Sequence, residues 1–504
     1  MKFKVKTRVV STISKYLILT PDDCEKLGVG LGGRVYATGP KGSITMFVST
    51  TRDVLKPGEV IISAKNSEII GISDGDTVDV VFVSAPAAVS YVRKKIDGKR
   101  LTKDEIAEVI EDIQNENLTY EEVAIWLTAL RTRGMDAEEI SYVAMALANL
   151  NNRIQYGRAP IFDFQSMNGV AGNKISPIVV SIVAAAGFTI SNASPHALTN
   201  ACGIADMMST VCNVMLTASE TKKVVDATNG CFASTKPMNV MADYYMAFIE
   251  NKLGIYIRPL MIASILGKKL LSGVTCALIE VPTGAGTYAE TIEDARAFMT
   301  EFVETGKKLG IHVESVITQG DTPVGNAIGP VLEAKEVLEV LEGRGSDPSV
   351  SDKACEMAGI ILEMAGIFNG REMAYSILGT GKALEKFREI VKAQEGNGNV
   401  KSEDLRPGKY VCEIKSKFNG EIEKIDNDRI KTIAKTAGSP TDKGAGILLM
   451  RKKTDVVSKG DVLFRIYAED ERKLREAEKM AESIPPVSTG HMILERIGGK
   501  KVRP

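Results

Sequence analysis

Histidine is scarce in this 504-residue chain: His196, His312 and His491 are the only three. No histidine-based metal centre is expected, and a Ser-His-Asp triad has little to draw on. The seven cysteines, Cys24, Cys202, Cys212, Cys231, Cys276, Cys355 and Cys412, include no CxxC pair. Scattered and odd in number, they fit reduced thiols and neither a disulfide framework nor a zinc site. Long apolar runs are missing too. The most apolar stretch, Ile175 to Ala186, is too short to span a bilayer and contains Pro177. The opening Met1-Lys2-Phe3-Lys4-Val5-Lys6 has no apolar signal core, so a cytoplasmic location with no membrane contact is expected. A formal net charge of −1 argues against nucleic acid as a partner.

What is present is the mix of an ordinary globular protein, long enough for roughly two to four domains. Residues 1–85 hold an internal repeat. Leu27-Gly28-Val29-Gly30-Leu31-Gly32-Gly33-Arg34-Val35-Tyr36-Ala37 returns as Ile70-Gly71-Ile72-Ser73-Asp74-Gly75-Asp76-Thr77-Val78-Asp79-Val80. In each copy a glycine-marked turn leads into alternating apolar residues, the signature of a strand. Two similar halves predict a small pseudo-symmetric barrel with an assembly or packing role.

Residues 86–160 read as a helical domain, completed by helices from about 175–230. Thr102…Glu105, Thr119…Glu122 and Asp136…Glu139 each have capping-box spacing or its Asp variant. Behind them, Ile106/Val109/Ile110/Ile113, Val123/Trp126/Leu127/Leu130 and Ile140/Val143/Ala144/Leu147 each form one buried stripe. From 161 to 399, strand-like runs alternate with amphipathic helices. Val274 to Val281 reads as a strand, Pro282 to Thr287 as a loop, Ile292 to Leu309 as a helix and His312 to Thr318 as a strand. That alternation predicts an α/β domain with a largely parallel sheet, whose ligands bind beyond the carboxyl ends of the strands. The 163–174 turn, the 282–287 loop and the 320–330 loop are expected to converge on one cleft. A polar stretch, 394–399, reads as a hinge. Strand patterning resumes over 400–504, as in an α+β barrel-sandwich domain.

The stretch from Asp163 to Ile204 carries the strongest local signal for chemistry. Asp163-Phe164-Gln165-Ser166-Met167-Asn168-Gly169-Val170-Ala171-Gly172-Asn173-Lys174-Ile175-Ser176 puts a glycine-rich turn before an apolar helix. Backbone N–H groups in such a turn make an anion site, and a tight turn packing a helix onto a sheet uses the same residues.

The order of these pieces, together with several motifs, resembles the thymidine/pyrimidine nucleoside phosphorylase family, and within it the archaeal branch that acts on AMP. The matching runs are Asn168 to Ser176, Met261-Ile262-Ala263-Ser264-Ile265-Leu266-Gly267-Lys268-Lys269-Leu270, Val281 to Thr287, Pro323 to Glu333 and Asp442 to Ile447. The resemblance covers essentially the whole chain. It implies a pentosyltransferase that splits AMP with inorganic phosphate into adenine and ribose 1,5-bisphosphate. It also implies no cofactor, phosphate as co-substrate, and a homodimer or larger homo-oligomer.

Residue by residue, the resemblance implies phosphate-binding hydroxyls at Ser166, Ser176 and Ser194, and a close backbone approach at Gly169. It places nucleotide contacts on the turn Ser194, Pro195, His196, Ala197, Leu198 and Thr199. It also implies a base-side pair, Ser264 and Lys268, and a proton donor at Tyr256. Departures from the family pattern fall on the same ground. Phe164 and Gln165 stand where a lysine and a histidine are usual, Ile204 replaces a threonine, and His196 replaces an arginine. Tyr256 replaces an aspartate and Tyr288 a lysine. One reading is an AMP phosphorylase using substitute groups, with His196, Lys174 or Arg258 near phosphate. A second is a silenced paralogue that binds a nucleotide or forms mixed oligomers, with Phe164, Tyr256 and Tyr288 as stacking surface. A third is a phosphorylase with a changed substrate.

Overall fold

The N-terminal repeat folds as two copies of one device. In each, a short helix (Pro21–Leu27 and Ala64–Ile70) is capped at its start by Thr20 or Ser63 and ends on a left-handed glycine, Gly28 or Gly71. Strands Arg34–Gly39 and Thr77–Phe82 follow and pair antiparallel. Together with Lys2–Arg8, Tyr16–Leu19, Gly42–Thr50 and Glu59–Ser63 they close a barrel. This is a computed structural model; it describes residues 1–8, 15–167, 169–197, 200–238, 240–345 and 347–489.

The chain divides into two units, Met1–Leu150 with Val240–Gly267, and Asn151–Asn239 with Lys268–Pro504. The first contains the barrel and the capped helices. Thr102 and Thr119 form reciprocal capping boxes with Glu105 and Glu122, each typically worth about 1 kcal/mol. Asp136 caps its helix alone, because Glu139 turns inward instead and takes Lys95 in a buried ion pair of 2.8 Å. The three predicted stripes are buried throughout, Trp126 among them. The completing helices are Met241–Leu253 and the start of Arg258–Leu271, not segments from 175–230, which belong to the second unit. Ser176–Ala185 is apolar on every side and is buried in the α/β core, leaving no polar face for a bundle.

In the second unit the strands β1 (Ile161–Ser166), β2 (Thr189–Ser194), β3 (Gly230–Ser234), β4 (Cys276–Thr283) and β5 (His312–Gln319) form one parallel sheet in the order β5-β4-β1-β2-β3. The order reverses at β1, so the crevice beyond β1 and β4 is the topological switch point where such sheets bind ligands. The helices used below are α1 (Ser176–Ala185), α2 (Ile292–Leu309), α3 (Pro330–Leu341), α4 (Pro348–Met364) and α5 (Asn427–Thr436). Helix α2 starts on a Thr291 cap and fills the β4-to-β5 crossover as expected.

The 394–399 stretch is not a free hinge. Gln394 is fully buried, takes the Phe232 N–H at 2.8 Å, and donates to the carbonyls of Asn213 (2.7 Å) and Phe232 (3.1 Å). A side-chain amide there serves the edge strand β3 as a further strand would. The C-terminal strands Tyr410–Lys415, Gly446–Leu449 and Val462–Ala468 follow the sequence pattern. Their sheet gains a short strand, Ala327–Ile328, from the 320–330 loop.

Candidate active site

Strand β1 presents two faces at the switch point, because alternate residues point oppositely. On one face Asp163, fully buried, receives Lys269 Nζ at 2.5 Å, Asn192 Nδ2 at 2.7 Å and the Phe164 N–H at 2.7 Å. Lys269 is itself buried and also donates to Gln165 Oε1 at 3.1 Å. Burial pushes the Asp163 carboxyl up, against the pull of Lys269. This face is a closed lock among Asp163, Asn192, Gln165 and Lys269.

On the other face Phe164 lies in the main apolar core beside its register partner Leu278 and is 1 % exposed. It is therefore not stacking surface for a base, as one reading had it, and it does not project into the loops above. Two residues on, Ser166 pairs in register with Glu280 of β4. Asn173 Nδ2 donates to Ser166 Oγ at 2.8 Å and to Glu280 Oε2 at 3.1 Å. Glu280 Oε1 accepts from Thr318 Oγ1 at 2.6 Å and lies 2.5 Å from Lys353 Nζ of α4. Burial works against the charged form, but Lys353 and the hydroxyl donors still hold the Glu280 carboxyl below its ordinary range.

Above this network the three predicted loops do converge. Gly169 has φ +128°, and a Cβ there would come within 3.0 Å of Thr287 Cα. Gly172 has φ +68°, and a Cβ would meet the carbonyls of Ala327 and Val324 at 2.8 Å each. Only glycine accepts both the backbone and the crowding. Val324 N–H donates to the Ala171 carbonyl at 3.1 Å, tying the first loop to the third. The C-terminal segment closes the same ground from α5. Asn427 accepts the Ala171 N–H at 3.1 Å and donates to the Gly320 carbonyl at 3.0 Å, while Lys431 Nζ reaches the Gly169 carbonyl at 2.9 Å.

Lys174 is neither exposed nor offered to a ligand. It is fully buried, 2.8 Å from Glu336 of α3, and donates to the Val324 carbonyl at 2.7 Å. Glu336 in turn accepts the N–H groups of Asn326 and Ala327. The pair fixes the Pro323–Ile328 segment, so the suggested phosphate role for Lys174 is corrected to a structural one.

Ser176 is the first residue of α1, and Ser194 ends β2, so both hydroxyls belong to the same end of the sheet as Ser166. Ser194 Oγ donates to Asn192 Oδ1 at 3.2 Å. Beyond it, Asp206 organises the turn: it accepts the N–H of Ala197 at 2.7 Å and of Gly203 at 3.1 Å, and meets His196 Nδ1 at 2.7 Å. Lys443 lies 3.7 Å away, and Ser439 Oγ donates to the Ala201 carbonyl at 2.6 Å. Although burial opposes it, His196 and the Ala197 N–H keep the Asp206 carboxyl below its usual range. His196 is thus half-exposed, with one ring nitrogen engaged; Pro195 and Ala197 are half-buried beside it. Ile204 opens the short helix that carries Asp206. Leu198 and Thr199 lie outside the described residues.

Ser264 and Lys268 sit one turn apart on the Arg258–Leu271 helix, both half-buried. Tyr256 precedes that helix; its ring faces the Arg131 guanidinium at 5.7 Å and is 37 % exposed. Arg258 and Tyr288 are half-buried. Sequence reasoning missed Asn173, Glu280, Thr318, Lys353, Asn427 and Lys431. Glu280 had left a trace, as one carboxylate inside the apolar β4 run. Lys353 left none. Among the described residues no group of three or more His, Cys, Asp or Glu is arranged to hold a metal ion, and no helix is long and apolar enough to cross a membrane.

A fold of helical bundle plus parallel α/β sheet, with glycine-rich loops at the switch point, is that of a glycosyltransferase class, and comparison agrees. Residues 89–150 match the glycosyl transferase family helical bundle domain, and residues 158–384 match the a/b domain of that family. Residues 421–486 match the pyrimidine nucleoside phosphorylase C-terminal domain. An anthranilate phosphoribosyltransferase from Thermus thermophilus superposes with a TM-score of 0.52 at 18 % identity, over 60 % of this chain and 99 % of its own, which shows the shared fold. AMP phosphorylase 1 of Archaeoglobus fulgidus is 38 % identical over 96 % of this chain and 97 % of its own. AMP phosphorylase of Pyrococcus furiosus is 38 % identical over 99 % of both. The chain belongs to the AMP phosphorylase family.

Proposed function

We propose that this protein is a pentosyltransferase of nucleotide salvage that cleaves AMP with inorganic phosphate, giving adenine and ribose 1,5-bisphosphate. One observation carries the reading most: similarity to AMP phosphorylases runs through the barrel, the helices, the sheet and the C-terminal segment alike. A phosphate oxygen attacks C1′ of the ribose, the C1′–N bond breaks, and its electron pair leaves with the base, which takes up a proton. Phosphorolysis of this kind needs an anion held below the sugar and a partner for the departing base.

In this reading Ser166, Ser176 and Ser194 give hydroxyls to phosphate, and the backbone from Gly169 lies against it. Residues Pro195 to Thr199 add contacts, with His196 held in place by Asp206. Ser264 and Lys268, spaced by one helical turn, face the base. Tyr256 is the proton donor to the departing base. Phosphate is the co-substrate and no further cofactor takes part. The working form is a homodimer or larger homo-oligomer. Purified protein is incubated with AMP, CMP or UMP, with and without phosphate, and free base is followed chromatographically. Phosphate-dependent release of adenine is expected; absence of any base at high enzyme concentration sinks the reading.

A further inference from the structure

Two polar groups beneath the loops are left incomplete. Asn173 Oδ1 is buried with no hydrogen-bond partner. Lys353 Nζ is buried as well, and beyond the Glu280 carboxylate no acceptor among the described residues completes its ammonium. Both flank Glu280, which is fully buried and tied through Asn173 to Ser166. Saturation is the rule for buried polar groups, so unused capacity concentrated at one spot calls for a function.

The charges here are also set out with a purpose. An isolated carboxylate at Glu280 would repel any anion received by Ser166 and the loop after it. Lys353 cancels that charge from α4, where it lies on the inward face between the buried Val350 and Met357. Phe164 precedes Ser166 on the same face of β1 and carries no charge. The ammonium of this face thus comes from the helix and not from the strand.

We propose that the Lys353–Glu280 pair sets the electrostatic potential under the Ser166–Asn173 loop, making it receptive to a phosphate dianion. Lys353 is a positioning residue acting through Glu280; it does not touch the substrate. This rests on the reading of the loop as a phosphate site.

The test is titration calorimetry of the full-length protein with inorganic phosphate, a readout that needs no turnover. Lys353→Met exposes the carboxylate and weakens phosphate binding by about ten-fold or more, while Glu280→Gln leaves the ammonium in excess and strengthens it. The double variant K353M/E280Q carries neither charge and returns affinity to within about three-fold of the parent. A double variant as weak as K353M, or a folded K353M that binds phosphate like the parent, overturns the proposal. Should K353M fail to fold, the sign in E280Q decides: tighter binding supports the pair's role and weaker binding overturns it. A parent protein that binds no phosphate overturns the phosphate reading itself. Parent binding with variants that do not respond overturns only the role of the pair.

Discussion

Two lysine–carboxylate pairs lie on opposite faces of the sheet, at β1 and at β4, and they differ in completeness. On one face, Asp163 meets three donors and Lys269 has a second acceptor in Gln165. On the other, Glu280 is well supplied, while Lys353 and Asn173 keep unused hydrogen-bonding capacity. The first pair can only tie β1 to Lys269 and to Asn192 of β2. The second has capacity left over, and it lies against the serine that starts the loop. Burial of a charged pair is by itself weak evidence of stabilisation, since desolvation offsets much of the attraction. The distinction between lock and site lies in which hydrogen bonds remain to be made.

That contrast can be broken in several places. The largest effect is expected for Lys269→Met, which strands Asp163 in the core; a loss of about 3–5 kcal/mol in urea unfolding follows from an orphaned buried charge. Phe164→Lys comes next. It restores the residue usual in the family motif, yet places a second ammonium on the face that already holds Lys353 and removes a packed ring. About 3 kcal/mol of stability should go, while phosphate binding by calorimetry should tighten, as it does for the uncompensated ammonium of E280Q. Gly172→Ala strains a left-handed residue against two carbonyls and is expected to cost about 1–3 kcal/mol in thermal unfolding. Gln165→Ala removes one of two acceptors from Lys269, for about 1 kcal/mol by the same measurement.

The smallest effects are in pH, and two carboxyls should behave oppositely. Burial pushes the Glu333 carboxyl up to about 7, with Lys174 pulling the other way. The native state then keeps a proton that the unfolded chain releases near about 4.3. Stability from this group falls as pH rises from there to about 7, and Glu333→Gln should flatten the midpoint temperature over that window. Glu280 has a lowered value, so its contribution is present above about 4.3 and is lost as pH falls through the lower folded value. Glu280→Gln should remove that acid limb. Calorimetric unfolding between pH 3 and 8, on the order of one scan per half unit, reads both.

Much of the molecule was legible from local rules. The repeat around Gly28 and Gly71, the caps at Thr102 and Thr119, and the meeting of three loops at the switch point all follow from spacing and turn chemistry. What escaped is what depends on distant partners. Nothing near residue 240 announces that the chain returns to the helical unit. Gln394 looks like a hinge residue until the edge of β3 is in view, and Lys174 looks like a cation for phosphate until Glu336 is. Phe164 reads as a lost charge in the motif, and only the core around Leu278 shows it as ordinary packing. Lys353 has no signal in sequence because its meaning is the carboxylate it meets.

The two-residue strand Ala327–Ile328 belongs to a loop of the α/β sheet, yet it hydrogen-bonds as a member of the C-terminal sheet. Asn427, Lys431 and Ser439 hold the neighbouring loops from the same side. The C-terminal hundred residues are therefore not a detachable module. A chimera that exchanged them for those of a relative would inherit loops fitted to another wall, and recombination at the 400 boundary should be tolerated only when both sides of that wall travel together.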